Sequence, residues 1–354
     1  MFGLRAGKDY IMKQVEIFKV FKLDGHYKLL DAIQARRAET DGVKSRYARD
    51  INGEIFLVSQ RMAVVLANTS HPVIIRNNAG LITKKSIKDI LDWVFINHDY
   101  ESGNELSTEE KRLFDLLIEN AVEYQKQLAR PLTEKEAKSL YGLHICMNHG
   151  GKMEYIHSLS TNSMLNPFCI AHAKLANCVC SHCYAANLIK SRPSMFISLT
   201  INQLLLSNYV LPVEILPVIN SELFRFESFG DLCSINQVRN YFNIAGKPEN
   251  ANIKFALWTK NPLIIKEALK AGAGKPETLQ IVFSGFRLNV HIDVESIKLV
   301  FPFIDRVFIV WETDKNNSRI NCGKRDCNKC RACYSKDGNK TINEALKMTK
   351  KGDK

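Results

Sequence analysis

Lys254-Phe255-Ala256-Leu257-Trp258-Thr259 and Leu279-Gln280-Ile281-Val282-Phe283 are the stretches on which the fold turns. Each sets apolar side chains at consecutive positions, so each shows apolar groups to both faces of a pleated strand. A half-exposed strand alternates apolar with polar; unbroken runs fit parallel strands covered on both faces. Working outward, Met153–Ser160, Leu223–Ser228, Ile253–Thr259, Leu279–Phe283 and Val307–Glu312 read as strands. From the second onward their starts fall 26 to 30 residues apart, the length of a strand plus a crossover helix. Helix starts lie between them. Ser234-x-x-Gln237 reads as a capping box, and Asn261-Pro262 as an N-cap followed by Pro at the first helical position. The expected class is α/β: a partial or complete β/α barrel with parallel strands over residues 151–334. In such folds chemistry gathers at the C-terminal ends of the strands.

Residues 1–150 have a different texture and are expected to form an α+β accessory region. Glu16–Leu23, Glu54–Val58 and Ala63–Ala67 read as short strands, with Asn52-Gly53 as a turn signal. Ser107-x-x-Glu110 is a capping box opening a helix to about Gln127, and Thr133-x-x-Glu136 opens another. Residues 335–354 are expected to be a basic C-terminal tail.

The N-terminus lacks an apolar stretch followed by a small-residue cleavage site, so no signal peptide is expected. Charges interrupt every apolar run well short of a membrane span, so no membrane partner is expected either. The compartment expected is the cytoplasm, where thiols stay reduced. Net charge is +12, and residues 315–354 carry twelve Lys or Arg against four Asp or Glu. Such a tail either attracts nucleic acid or another polyanion, or offsets the negative charge of nearby thiolates.

Eight of the ten cysteines form two groups: Cys169, Cys178, Cys180 and Cys183, then Cys322, Cys327, Cys330 and Cys333. Four soft sulfurs this close, in a reducing compartment, point to metal rather than to disulfides. Each group suffices for one tetrahedral zinc or one iron–sulfur cluster. Cys178-Val179-Cys180-Ser181-His182-Cys183 turns on itself, and the helix expected from Tyr184 would aim its N-terminal dipole at bound negative charge. Cys322-x4-Cys327-x2-Cys330-x2-Cys333 repeats the two-residue step of ferredoxin-type ligand runs. The same spacing suits a zinc module, and Lys324, Arg325, Lys329 and Arg331 suit nucleic-acid contact. The two groups form separate sites or share one.

Other candidates follow the predicted strands. Ser228, Gly230 and Asp231 follow the second; Gly230 would let backbone approach a ligand, and Asp231 would bind an ammonium group or cap the next helix. Trp258 and Lys260, with Trp311, would wall a nucleobase site by stacking and cation–π contact, unless the tryptophans are core. Glu312 and Asp314 would do acid–base work or face water. His144, Cys146 and His149 match no site spacing, and Cys233 reads as a small buried apolar residue.

From about Gly151 to Tyr334 the chain resembles the gene-product-88 family of phage and mobile-element proteins. The likeness rests on Ser158-Leu159-Ser160, Cys169…Cys180-x-x-Cys183-Tyr184-Ala185, Phe224–Asp231 and Cys327-x-x-Cys330-x-x-Cys333-Tyr334. More distantly it is similar to radical S-adenosylmethionine enzymes, which carry three cysteines after the first barrel strand and a glycine-rich acidic motif after the second. Cys180-x-x-Cys183 and Gly230-Asp231 stand in those places, although the third thiol is Cys169 or Cys178 rather than one three residues before Cys180. These likenesses imply one or two iron–sulfur clusters, 4Fe-4S in type. Cys169, Cys180 and Cys183 would hold the one that meets S-adenosylmethionine, and the second group would hold an auxiliary one. The basic tail and the Trp258–Lys260 wall, rather than the likenesses, make a nucleotide or nucleic acid the expected substrate. The competing reading is a non-enzymatic, zinc-stabilised nucleic-acid-binding protein.

Overall fold

In the computed structural model, residues 45–49, 55–59, 71–100, 102–176, 178–190, 192–312, 319–322, 326–337 and 340–346 are described. Strand β1 (Ser45–Arg49) pairs antiparallel with β2 (Ile55–Ser59), the latter falling on the strand predicted at Glu54–Val58. The strands predicted at Glu16–Leu23 and Ala63–Ala67 lie outside the described residues.

Seven strands build the main sheet in the order of the chain: β3 (Ile145–Met147), β4 (His157–Leu159), β5 (Leu223–Phe226), β6 (Lys254–Thr259), β7 (Leu279–Ser284), β8 (Arg306–Trp311) and β9 (Thr341–Ala345). Only β3 runs antiparallel to its neighbour; β4 through β9 are parallel. The α/β class and the four middle strands agree with the sequence reading. The sheet is not closed: β3 and β9 do not pair among the described residues, so a complete barrel is not formed. Its edges are the β3 hairpin and β9, a strand within the stretch expected to be tail.

Strictly sequential parallel order has a physical consequence. Each right-handed crossover returns on the same side, so the helices accumulate on one face. That face carries Phe224, Phe226, Phe255, Leu257, Ile281, Phe283, Val307, Ile309 and Trp311, all in one apolar core. Packed into it are α1 (Lys84–Asn97), α2 (Thr108–Leu128), α3 (Glu134–Tyr141), α6 (Pro193–Asn208), α7 (Ile235–Gly246), α8 (Pro262–Lys270) and α9 (Val294–Val300). Both predicted N-terminal capping boxes are formed, at Ser107–Glu110 and Thr133–Glu136. Gly150-Gly151 lies inside the β3–β4 hairpin, and α1 to α3 share their core with the sheet.

The alternate side chains face the other way. Register aligns Ser158, Arg225, Ala256 and Gln280 across four strands, and Trp258, Val282 and Arg306 across three. Here a smaller cluster of Ile156, Leu223, Ala256, Trp258, Val282, Tyr334 and Ile342 is packed by Met153, Phe308, Cys322, Cys327 and Cys333. The crossover from β4 to β5 is the longest; it holds α4 (Pro167–Ala173), a 3₁₀ turn at Val179–His182, α5 (Tyr184–Lys190) and α6, and with them the first cysteine group. The second group, with α10 (Cys327–Cys330), lies between β8 and β9. No helix among the described residues is long and apolar enough to cross a membrane.

Candidate cysteine-lined cavity

The C-terminal end of β5 sets the geometry. Glu227 follows the strand directly with φ at +55°, a left-handed conformation rare outside glycine. The twist turns its side chain inward, 2% exposed, where it accepts from Thr161 N (3.2 Å), Thr161 Oγ1 (3.0 Å), Gln237 Nε2 (2.6 Å) and the Tyr241 hydroxyl. Burial pushes its pKa up to about 7, against the pull of the Tyr241 and Thr161 hydrogen bonds. Ser234 caps α7 as predicted, accepting from Gln237 N, but the Gln237 side chain is drawn away to Glu227 and to Cys233 N.

Gly230 is where backbone crosses this carboxylate. A Cβ there would stand 2.3 Å from Thr161 Oγ1, 2.5 Å from Glu227 Oε2 and 2.8 Å from Thr161 O. Close approach is required, as the sequence suggested, but it is approach to Thr161 and Glu227. Asp231 is likewise engaged by protein: it accepts from Thr259 Oγ1 (2.6 Å), Leu232 N (2.8 Å) and Lys260 N (2.9 Å). It ties the ends of β5 and β6 together rather than capping α7. Burial raises its pKa, and the Lys260 ammonium opposes the rise. Lys260 Nζ donates to Ser284 Oγ at 2.9 Å, extending the row along the strand ends to β7.

The first cysteine group hangs over this row. Asn166 caps α4, accepting from Phe168 N and Cys169 N, and its Nδ2 donates to Asp231 O at 2.7 Å. One side chain therefore fixes Cys169 beside Asp231. Cys169, Cys180 and Cys183 all line the cavity with Ser228, Gly230, Asp231, Trp258 and Lys260. Burial drives the Cys169 thiol pKa well up, and Asp231, Cys180 and Cys183 add to the rise. Burial likewise pushes Cys180 up to about 12, with Lys260 opposing. Cys178 differs: 4% exposed and absent from the lining, it sits where the loop bridges to Arg287, and its sulfur accepts from Cys180 N at 3.4 Å.

Cys322, Cys327 and Cys333 of the second group line the same cavity. All four cysteines of the second group, Cys330 included, also line a smaller adjoining one. Lys152 Nζ lies 3.4 Å from Cys322 Sγ and pairs with Glu344 of β9. All ten cysteines are free thiols. Among the described residues, no three His, Cys, Asp or Glu side chains converge tightly enough to hold a single metal ion. A tetrahedral zinc with Zn–S near 2.3 Å needs sulfurs only about 3.8 Å apart. Three cysteines of each group are thus gathered at one cavity, without the tight packing that one ion demands.

The nucleobase wall is not formed. Trp258 and Trp311 fall on opposite faces of the sheet, Trp311 within the helix-side core with its Nε1 donating to Asn343 Oδ1 at 2.9 Å. One face of Trp258 is taken by Arg225, whose guanidinium carbon is 4.0 Å from the ring centroid. Glu312 is exposed and bonded to Asn289; Asp314, Lys324 and Arg325 lie outside the described residues. Cys146 contacts His144 Nδ1 at 3.1 Å, away from the cavity lining. Cys233 is held among Ser207, Gln237 and Asn104. Sequence reasoning missed Lys152, Thr161, Ser163, Arg225 and Tyr334 as site residues. Arg225 carried a signal, a lone cation at an alternate position within the apolar run Leu223–Phe226.

Comparison with protein-family models, with curated proteins and with solved structures finds no match for this chain.

Proposed function

We propose that this is a cytosolic iron–sulfur protein of the gene-product-88 type, working like a radical S-adenosylmethionine enzyme on a nucleotide or nucleic acid. The observation that carries the reading is that three cysteines from each group line one cavity at the strand ends. The donor set fits a cluster of several irons. Thiolates bound to separate irons stand farther apart than those on one ion, and free thiols with Lys152, Arg225 and Lys260 around them offer the positive charge such a centre needs. Six sequential parallel strands with helices on one face suit a partial β/α barrel.

In this reading Cys169, Cys180 and Cys183 hold one cluster, and Cys322, Cys327, Cys330 and Cys333 hold an auxiliary one. Such a centre, when bound, would supply an electron and a binding position for S-adenosylmethionine. The protein's own part is to orient. Three of about four acceptor positions on the Asp231 carboxylate are filled by protein donors, leaving one for an ammonium group. Gly230 keeps the backbone low beneath it.

Anaerobically purified protein is expected to be brown, to absorb near ~400 nm and to contain iron and acid-labile sulfide. Reduction in the presence of S-adenosylmethionine should release methionine and 5′-deoxyadenosine. Colourless protein carrying stoichiometric zinc, with nucleic-acid affinity falling steeply as salt rises, would establish the zinc-stabilised binding protein instead. The cysteines separate further: changing Cys169, Cys180 or Cys183 to alanine should remove the iron of the first cluster, whereas Cys178→Ala should retain it. Equal iron loss in all four variants would refute the three-cysteine assignment.

A further inference from the structure

We infer that Arg225 forms an anion-binding subsite for the substrate's phosphate or carboxylate, in the cavity that cysteines of both groups line. This rests on the reading of the cavity as a substrate site and adds the chemical class of what enters it. Arg225 is half-buried on the site face of β5. Its only hydrogen bond among the described residues goes from Nη1 to the Met153 thioether at 3.3 Å, a weak acceptor. Its Nε is buried with no partner. No carboxylate pairs with it there, although Glu227, Asp231 and Glu344 line the same cavity. Each of those acids is already committed: Glu227 to four donors, Asp231 to three, Glu344 to Lys152.

A guanidinium in a largely apolar pocket without an acceptor is costly, and its fork suits the paired oxygens of a phosphate or carboxylate. Trp258 holds the fork by its face, so the donor edges stay free to turn toward a ligand. The surroundings repeat the pattern. The hydroxyls of Ser163, Ser228 and Tyr334, from three separate segments lining this cavity, are also buried without partners. Four residues whose polar atoms find no protein partner around one space give that space the lining of a site for a polar ligand. Three of the four present hydroxyls that donate to an anion.

The test uses the full chain, both as isolated and after anaerobic loading with iron and sulfide. Inorganic phosphate and succinate are titrated separately, reading tryptophan fluorescence and thermal stability, with Trp258→Phe assigning the optical signal. Wild type should bind at least one probe. Arg225→Met, which keeps the unbranched stem over Trp258, should bind at least tenfold more weakly while iron and sulfide content stay unchanged. Preference for phosphate over succinate, or the reverse, identifies the group carried by the substrate. Wild type that binds neither probe overturns the subsite, as does Arg225→Met that binds both normally. Lost iron in Arg225→Met with unaltered anion binding shows that Arg225 serves the metal centre instead. Protein that takes up no iron yet binds the probe in an Arg225-dependent way defeats the iron–sulfur reading and keeps the subsite.

Discussion

Gly230→Ala should lower the unfolding free energy by about 3 kcal/mol and abolish binding in the cysteine-lined cavity. The added methyl has nowhere to go: Thr161 Oγ1, Glu227 Oε2 and the Thr161 carbonyl would lie 2.3, 2.5 and 2.8 Å away. Side-chain rotation relieves the first two contacts only by breaking the Thr161–Glu227 hydrogen bond, and the third is backbone. Segment 227–231 must therefore lift, carrying Asp231 off Thr259 and Lys260. Chemical denaturation measures the stability loss; iron content and probe binding measure the second effect. An unchanged midpoint with normal binding would show that the loop gives way at no cost.

The second large effect belongs to Glu227. Glu227→Ala removes the common acceptor of the Thr161 amide and hydroxyl, the Gln237 amide and the Tyr241 hydroxyl. Buried donors without acceptors cost about 1 to 3 kcal/mol each. Partial re-pairing, such as the Gln237–Tyr241 contact already present, offsets some of that, so a net loss of about 4 kcal/mol is expected. The carboxyl also gives the protein a pH signature. Its ordinary pKa of 4.5 rises to about 7 in the fold because burial penalises the charged form. The folded chain then holds this proton more tightly than the unfolded chain. The contribution is fully present below about pH 4.5 and is lost as pH rises through about 7, a change of about 3 kcal/mol. The stability gap between wild type and Glu227→Ala should thus narrow from pH 4.5 to 7.5. Urea titrations across that range decide it; a constant gap would mean that Glu227 titrates alike in both states.

Much of this architecture was legible because it depends on local pattern. The apolar runs of β6 and β7 announce burial on both faces, and Ser107, Thr133 and Ser234 mark helix starts that the backbone obeys. What escaped depends on partners distant in the chain. Thr341–Ala345 offers one buried apolar side chain, Ile342, and reads as polar tail; it is a strand because β8 presents an open edge. Closure of a barrel depends on strand number and tilt, which the spacing of runs does not fix. Asn261 lacks a side-chain capping bond at α8 because its amide reaches Leu232 O instead. Trp258 and Trp311 looked like a pair, yet register sets them on opposite faces. The cysteine groups were visible from spacing, and their meeting at one cavity follows from parallel strands delivering both loops to the same end. Which sulfur stands apart was not legible: Cys178 is set aside by the Arg287 bridge.

The place of the second cysteine group matters to the sheet as well as to the cavity. The second group sits in the connection between β8 and β9, and among the described residues β8 is the one sheet strand that pairs with β9. The loop is pinned by Cys322 N to Asn343 O at 2.9 Å and by Arg306 to the carbonyls of Ser335 and Asp337. Oxygen damage to those sulfurs would slacken the loop and let the outermost ribbon peel away, baring the backbone of β8 as a template for self-association. Spoilage in air would then announce itself as turbidity before the far-ultraviolet circular dichroism loses its native form. Light scattering followed during slow aeration would reveal the order of those two events.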